Sequence, residues 1–148
     1  MTEAPVISKP SNLLWDKSMQ CRSVIWSPDS TSFLANDWCG KVTSFNPDGN
    51  KLWEHDMHDN CITNYQRFVC EYSIDSSLVI CKYRGGSVDI LNARNGKIVL
   101  SVKLDGIDHM DFDVTLSPDS SRLVTVSNNI IRMWSVPGLP WLERSRWI

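Results

Sequence analysis

One short segment occurs three times in this chain of 148 residues. It reads WSPDS at 26–30, YSIDS at 72–76 and LSPDS at 116–120. The step from Ser27 to Ser73 is 46 residues, and the step from Ser73 to Ser117 is 44. Three copies of one turn at one period predict a structural repeat rather than an active site.

A second landmark keeps the same period. The segments GKVTSFN at 40–46, GSVDILN at 86–92 and NIIRMWS at 129–135 each follow one of the turns. A helical array of this repeat length would need apolar residues at 3.6-residue spacing, which the sequence lacks. Repeats of about 40–45 residues with four short strands are typical of propeller blades. The sequence therefore predicts an all-β chain of about three four-stranded antiparallel propeller blades, forming a partial or split β-propeller.

Turn residues and apolar runs place the individual strands. The predicted strands are 22–27, 32–36, 41–46 and 51–55 in the first copy, 68–73, 78–82, 87–92 and 97–103 in the second, and 113–117, 122–127 and 130–135 in the third. The fourth strand of the third copy is missing or degraded into 140–148. The Asn95-Gly96 pair predicts a two-residue type I′ hairpin, because that turn requires positive φ. Consecutive apolar residues at 78–81 predict a strand buried on both faces, as in sheets that stack face to face.

These copies resemble the WD40 repeat. The shared features are an SPDS turn that closes an inner strand, a Gly or Asn turn, and an apolar strand ending near MWS. The likeness covers about 20–136. The family's Trp-Asp dipeptide is represented by Phe45-Asn46, Leu91-Asn92 and Trp134-Ser135, and its Gly-His pair is missing, although His109 lies eight residues before Ser117. The segment DGNKLW at 48–53 is also similar to quinoprotein-type propeller blades, which share the architecture.

The expected organisation has five parts. They are an N-terminal tail at 1–19, blades at about 20–60, 61–107 and 108–136, and a C-terminal tail or the start of an outer strand at 137–148. The segment NLLWDKS at 12–18 is either a strand that closes a ring on a terminal blade or an ordered tail. Because propellers have 4–8 blades, three blades cannot close a ring alone. The chain is therefore a fragment or short isoform of a longer propeller, or it completes a ring with other chains.

Charge and composition narrow the classes of partner. The chain has 15 basic and 17 acidic side chains, which gives no basic stripe for nucleic acid. No signal peptide is evident and no 18 apolar residues run together, so we expect a soluble chain with no membrane contact. Five cysteines without a close-set framework indicate free thiols in a reducing compartment, either the cytoplasm or the nucleus.

Candidate chemistry is sparse. His55, His58 and Cys61 could surround a zinc ion if their loop folded back on itself. Residues three apart on a strand point to opposite faces, so a polar loop without metal is the favoured interpretation. No catalytic serine context occurs, because turn chemistry explains Ser27 and Ser117. We expect no catalytic residues and no cofactor.

Six of the seven tryptophans fall into two groups. Trp26, Trp53 and Trp134 lie at strand positions where a propeller buries aromatic side chains, so we expect them in the core. Partner-binding candidates are Trp38, which lies in a turn, and Trp141, Arg144, Arg146 and Trp147, which form either a docking tail or the next blade's strand.

The expected function is interaction without catalysis. A WD40-like segment with open ends would act as a scaffold or subunit of a larger assembly, with protein partners or a second copy completing the propeller. The alternative is a fragment of a propeller enzyme, or of a multidomain sensor whose effector domain lies outside this chain.

Overall fold

Three antiparallel sheets make up the fold. The structure is a computed structural model that describes residues 11–38, 40–56, 68–104 and 112–137. Sheet one contains β1 (Ser23–Trp26), β2 (Phe33–Asn36), β3 (Lys41–Phe45) and β4 (Lys51–Asp56); sheet two contains β5 (Phe68–Tyr72), β6 (Leu78–Tyr83), β7 (Ser87–Asn92) and β8 (Ile98–Lys103); sheet three contains β9 (Phe112–Leu116), β10 (Arg122–Ser127) and β11 (Ile130–Ser135). Each sheet keeps its strands in chain order. The predicted all-β architecture of three antiparallel blades is therefore confirmed, with three described strands in the third blade.

The repeated turn forms because its side chains bond their own backbone. In the first copy the Ser27 hydroxyl donates to Asp29 at 2.7 Å and accepts from the Ser32 amide at 3.1 Å. Ser30 adopts the left-handed conformation, with φ of 64°. The second and third copies repeat the serine-to-aspartate bond at 2.7 Å. Local hydrogen bonding of this kind closes a hairpin without tertiary help.

Strand β6 is buried on both faces, as its apolar run predicts. Val79 and Cys81 pack on sheet one, while Leu78 and Ile80 pack on sheet three. We call the face of a sheet that packs on the preceding sheet its leading face, and the opposite face its trailing face. The two contacts between sheets are the first seam and the second seam. The described residues therefore form a short stack of three blades with two apolar seams.

The predicted two-residue hairpin at Asn95-Gly96 is wrong. Strands β7 and β8 are joined by residues 93–97, and only Gly96 has positive φ, at 75°. The Asn92 side chain accepts a hydrogen bond from the Arg94 amide at 2.8 Å, so the strand ends at Asn92, two residues earlier than a hairpin at 95–96 requires. An Asx turn therefore sets this loop length.

Exposure also corrects one predicted position. Trp26 is 54% exposed rather than in the core, because the leading face of blade one has no preceding sheet among the described residues. Leu34 is fully buried in the first seam. Trp53 is a core residue and Trp134 packs against the second seam, as expected. Within the described ranges, no helix has the length and apolar character to cross a membrane.

Candidate protein-interaction faces

The leading face of blade one is the first candidate site. Cross-strand pairing places Val24 opposite Ala35, and Trp26 and Phe45 opposite Phe33. Aligned on the repeated turn, these positions correspond to residues of blade two that are buried or half-buried in the first seam: Cys70, Tyr72, Val79, Cys81 and Leu91. Blade one therefore presents the same kind of face that blade two uses to pack on a neighbour.

Residues of the N-terminal segment cover part of this face. The Trp15 ring stacks on Phe33 with centroids 6.1 Å apart, and its Nε1–H donates to the Pro47 carbonyl at 2.9 Å. Lys17 donates to the Gly49 carbonyl at 2.8 Å. Trp26, on β1, remains largely exposed. The segment therefore covers the face near the β3–β4 turn and leaves the side of β1 open.

Trp15 occupies the place on blade one that Trp53 occupies on blade two. The Trp53 Nε1–H donates to the Ala93 carbonyl at 2.8 Å, and Ala93 follows Asn92 as Pro47 follows Asn46. Each indole also lies against a glycine of positive φ, Gly49 in one case and Gly96 in the other. The correspondence between the two tryptophans is visible in sequence only as Leu-Trp-Asp at 14–16 against Leu-Trp-Glu at 52–54.

Residues 13–21 belong to no strand, so the closing strand predicted at 12–18 has no partner strand among the described residues. That role stays a prediction. The predicted domain boundaries likewise remain untested.

The trailing face of blade three is the second candidate site. Val124 pairs with Met133, and Val126 pairs with Ile131, which puts these four apolar side chains on one face. Ile131 and Met133 are 73% and 63% exposed. The corresponding positions of blade two, Val88 and Ile90, are fully buried in the second seam. Blade three therefore has the same kind of apolar trailing face as blade two, but no described sheet covers it.

A polar contact between successive turns accompanies each seam. The Asp29 amide donates to the Ser76 hydroxyl at 3.0 Å across the first seam, and Ser120 donates to the Asp75 carboxylate at 3.1 Å across the second. Ser30 is the corresponding serine of blade one, and all three serines have φ between 61° and 65°. The repeated turn of each blade is therefore hydrogen-bonded to the repeated turn of the next blade.

The carboxylate of Asp89 lies buried in the first seam. Ser101 donates to one of its oxygens at 2.6 Å, and His55 Nε2 lies 3.4 Å from the other. A catalytic triad needs the serine beside the histidine, whereas Ser101 bonds the carboxylate. This trio therefore joins two blades and lacks the arrangement of an activated nucleophile.

The residues expected as a possible metal site are not brought together in what the structure describes. His55 lies on β4 and faces Asp89, while His58 and Cys61 fall outside the described residues. Across the described ranges no group of three or more His, Cys, Asp or Glu side chains could hold a metal ion.

Trp38 is exposed, and the Arg22 guanidinium lies 4.4 Å from the centre of its ring. The predicted contact residue Trp38 therefore lies on the surface and is stacked with Arg22. Its role in binding a partner stays a prediction. The other partner-binding candidates, Trp141, Arg144, Arg146 and Trp147, lie outside the described residues.

Comparison with known proteins supports the fold. No protein-family model and no curated protein matches the sequence. Among solved structures, the chain is similar to the C-terminal WD40 domain of Sif2, with a TM-score of 0.59 and 12% identity over 79% of this chain and 34% of that one. It is also similar to Kluyveromyces lactis Hsv2 with complete loop 6CD, with a TM-score of 0.58 and 16% identity over 80% of this chain and 39% of that one.

A third structure, KlHsv2 with loop 6CD replaced by a Gly-Ser linker, gives a TM-score of 0.56 and 17% identity over 72% of this chain and 35% of that one. At these identities the similarity shows the fold, which is that of WD40-type propeller blades. The chain spans between 34% and 39% of the length of these three structures.

Proposed function

We propose that this chain is a non-catalytic interaction subunit that joins a larger assembly through the two open faces of its blade stack. Trp26 carries the proposal. It is 54% exposed, although its counterparts Tyr72 and Leu116 are half-buried and buried where blades two and three meet their neighbours. Contiguous apolar surface of this kind marks a protein interaction site. A protein chain, rather than nucleic acid or a membrane, is the proposed partner.

The trailing face of blade three is apolar at its centre and has polar side chains beside it, which suits a specific contact. Blade three offers Val126, Ile131 and Met133, with Asp113 and Thr115 beside them on β9. A polar rim around an apolar centre is the usual composition of protein interfaces. The Asp89 trio, bonded as it is between blades, supports a structural role over a catalytic one.

We also propose a reducing location, cytoplasmic or nuclear. Cys21, Cys70 and Cys81 are free thiols, and Cys70 lies 3.3 Å from Cys81 without a disulfide. Burial raises the pKa of the Cys70 thiol well above its ordinary value, which keeps it protonated and unreactive. Free buried thiols are usual where glutathione keeps cysteines reduced.

The test is the mass of the native particle. We expect a particle larger than the 16.9 kDa of one chain. Trp26→Asp and Ile131→Asp should each release the single chain, because a charge would be buried without a partner. Ile98→Asp is the matched control, since Ile98 is 53% exposed on β8 of the internal blade. A native mass of one chain for the unchanged protein would refute the proposal.

A further inference from the structure

Two cysteine side chains face each other in the first seam. Cys70 on β5 pairs directly with Cys81 on β6 in the antiparallel sheet. Their sulfur atoms lie 3.3 Å apart, and both side chains belong to one buried cluster. Directly paired residues of an antiparallel sheet have Cα atoms about 4.5–5.5 Å apart, which is within the range that a disulfide spans. The two thiols are therefore placed to form a disulfide without a change of strand register.

Blade one covers both thiols. Cys70 is 7% exposed and Cys81 is fully buried, and their cluster includes Leu34, Val42 and Trp53 of blade one. Close-packed protein interiors have few voids larger than a water molecule. A reagent as large as glutathione disulfide can therefore reach these sulfur atoms only after blade one moves away from blade two.

The closed seam also keeps the thiols protonated. Burial raises the pKa of the Cys70 thiol, and its hydrogen bond with Cys81 and the negative charges of Asp37 and Glu71 add to this effect. The thiolate is the form that attacks a disulfide. Opening of the seam removes burial, which is the largest cause, so the thiolate fraction of Cys70 rises when the two blades separate.

We propose that Cys70 and Cys81 are a reversible modification site, a dithiol that becomes a disulfide when blades one and two separate. Disulfides of proteins in reducing compartments are usually transient and serve catalysis or redox sensing. The pair therefore makes the opening of the first seam sensitive to the redox state around the protein. This inference concerns a seam inside the described stack, so it does not depend on the interaction role proposed above.

The oxidant is a low-molecular-weight disulfide, and glutathione disulfide is the probe. The thiolate of one cysteine attacks a sulfur atom of the probe, forms a mixed disulfide and releases one glutathione. The second cysteine attacks the protein sulfur atom of that mixed disulfide, which forms the bond between Cys70 and Cys81 and releases the second glutathione. The protons lost by the two cysteines are taken up by the two released glutathione thiolates. Two protein thiols are oxidised and one disulfide is reduced, and a dithiol reductant reverses the reaction.

The sequence provides a selective measurement of this pair. Trypsin cleaves after Arg67 and Lys82, and the peptide 68–82 contains Cys70 and Cys81 but no other cysteine. Iodoacetamide added after the oxidation alkylates every thiol that remains. By mass spectrometry the reduced pair is then a doubly alkylated peptide, whereas the disulfide is an unalkylated peptide that lacks two hydrogen atoms. Cys21, which is exposed, reports the access of the reagent to an uncovered thiol.

The experiment loosens one seam at a time in the full chain. Trp53 packs in the first seam, and Trp134 packs against the second. Trp53→Ala should raise the rate of disulfide formation at least about tenfold, because it raises the population in which the first seam is open. Trp134→Ala is the matched control and should leave the rate near that of the unchanged protein. Cys21 should react at one rate in all three proteins.

Circular dichroism shows whether each variant is folded. Trp53→Phe is the milder variant if Trp53→Ala unfolds, because it keeps an aromatic ring and removes only the hydrogen bond to the Ala93 carbonyl. Faster oxidation confined to the Trp53 variants, and reversed by dithiothreitol, is the expected result.

Three results would overturn the proposal. A peptide 68–82 that stays doubly alkylated in every protein while Cys21 reacts would show that the two cysteines only fill space in the seam. An end product that carries glutathione, or that is joined to another peptide, would exclude the bond between Cys70 and Cys81. Equal acceleration by Trp53→Ala and Trp134→Ala would mean that oxidation follows unfolding of the whole chain rather than opening of the first seam.

Discussion

The indole of Trp53 in blade one lies against Gly96 in blade two so closely that a Cβ atom at position 96 would be 2.5 Å from Trp53 Cε3. The glycine has φ of 75°, and the indole is fixed by its hydrogen bond to the Ala93 carbonyl. At this point of the first seam, the Trp53 ring of blade one packs in the space that a side chain at position 96 of blade two would occupy. The equivalent contact of Trp15 with Gly49 is looser, because a Cβ atom at position 49 would be 3.2 Å from the Trp15 ring.

Gly96→Ala should therefore lower the free energy of unfolding more than Gly49→Ala. Both positions have positive φ, so each substitution incurs about 1–2 kcal/mol of backbone strain. Only position 96 also forces a buried ring to move, which adds about 1–3 kcal/mol. At position 49 the nearest Trp15 atom would be 3.2 Å away, and that ring is partly exposed. Urea unfolding measures the difference, and equal losses would contradict this account.

Ile74→Pro should stabilise the protein by about 0.4–1 kcal/mol. The turns at Ser27, Ser73 and Ser117 share one backbone hydrogen bond, 2.8–3.0 Å long, from the third residue after each serine. The first and third turns have proline at the second position, whereas the middle turn has the exposed Ile74. Proline should fit there and reduce the entropy of the unfolded chain.

The matched change in the opposite direction is Pro118→Ala, which should lose about 0.5–1 kcal/mol. Thermal melting of the two variants beside the unchanged protein gives both shifts. If Ile74→Pro lowers the melting temperature, the three turns do not share one conformation.

Acid should destabilise the blade stack through its turns. Hydrogen bonds from Thr31 and then Ser27 lower the pKa of Asp29. At Asp75 burial raises the pKa, but bonds from Ser77, Ser73 and Ser120 outweigh burial, so the pKa also lies below the ordinary 3.8. A carboxylate whose folded pKa is depressed stabilises the fold above its unfolded pKa, and this contribution is lost as the pH falls through and below 3.8.

The loss of stability below about pH 4 should therefore be smaller in the Asp29→Asn/Asp75→Asn double variant than in the unchanged protein. Urea unfolding at several pH values gives the comparison. An identical pH dependence for both proteins would show that these carboxylates do not contribute.

Zinc removal should have no effect. His55 Nε2 lies 3.4 Å from the Asp89 carboxylate across the first seam, so this ring already has a partner among the described residues. We expect elemental analysis to find no stoichiometric zinc and chelator to leave the melting temperature unchanged. Stoichiometric zinc, together with a melting temperature that chelator lowers, would place His55, His58 and Cys61 in a metal site.

The strands could be predicted from sequence because their signals are local. Turn residues such as Ser27 and Asp29 form a hydrogen bond with each other. The apolar run at 78–81 must be buried on both faces of its sheet, whatever the sheet packs against. The docking of Trp15 could not be predicted in this way. It depends on where the Pro47 carbonyl lies, which only the packed sheet determines. Trp26 was misassigned for a related reason, since its burial depends on a neighbouring sheet that the described residues do not provide.

The side chains around Asp89 give the last prediction. Asp89 is 1% exposed, and Ser101 donates to it at 2.6 Å. Ser101→Ala should lower the free energy of unfolding by about 1–3 kcal/mol, because it leaves a buried carboxylate oxygen without its donor.

A double-mutant cycle with Asp89→Ala separates that penalty from simple loss of packing. Once the carboxylate is gone, Ser101 has no acceptor to satisfy, so the serine substitution should cost much less in the Asp89→Ala background than alone. The resulting coupling energy should lie at about 0.5–3 kcal/mol, the range for residues in one hydrogen-bonded network. Additive losses would mean that Ser101 and Asp89 contribute to the first seam independently, and the buried carboxylate would then need another source of stabilisation within that seam.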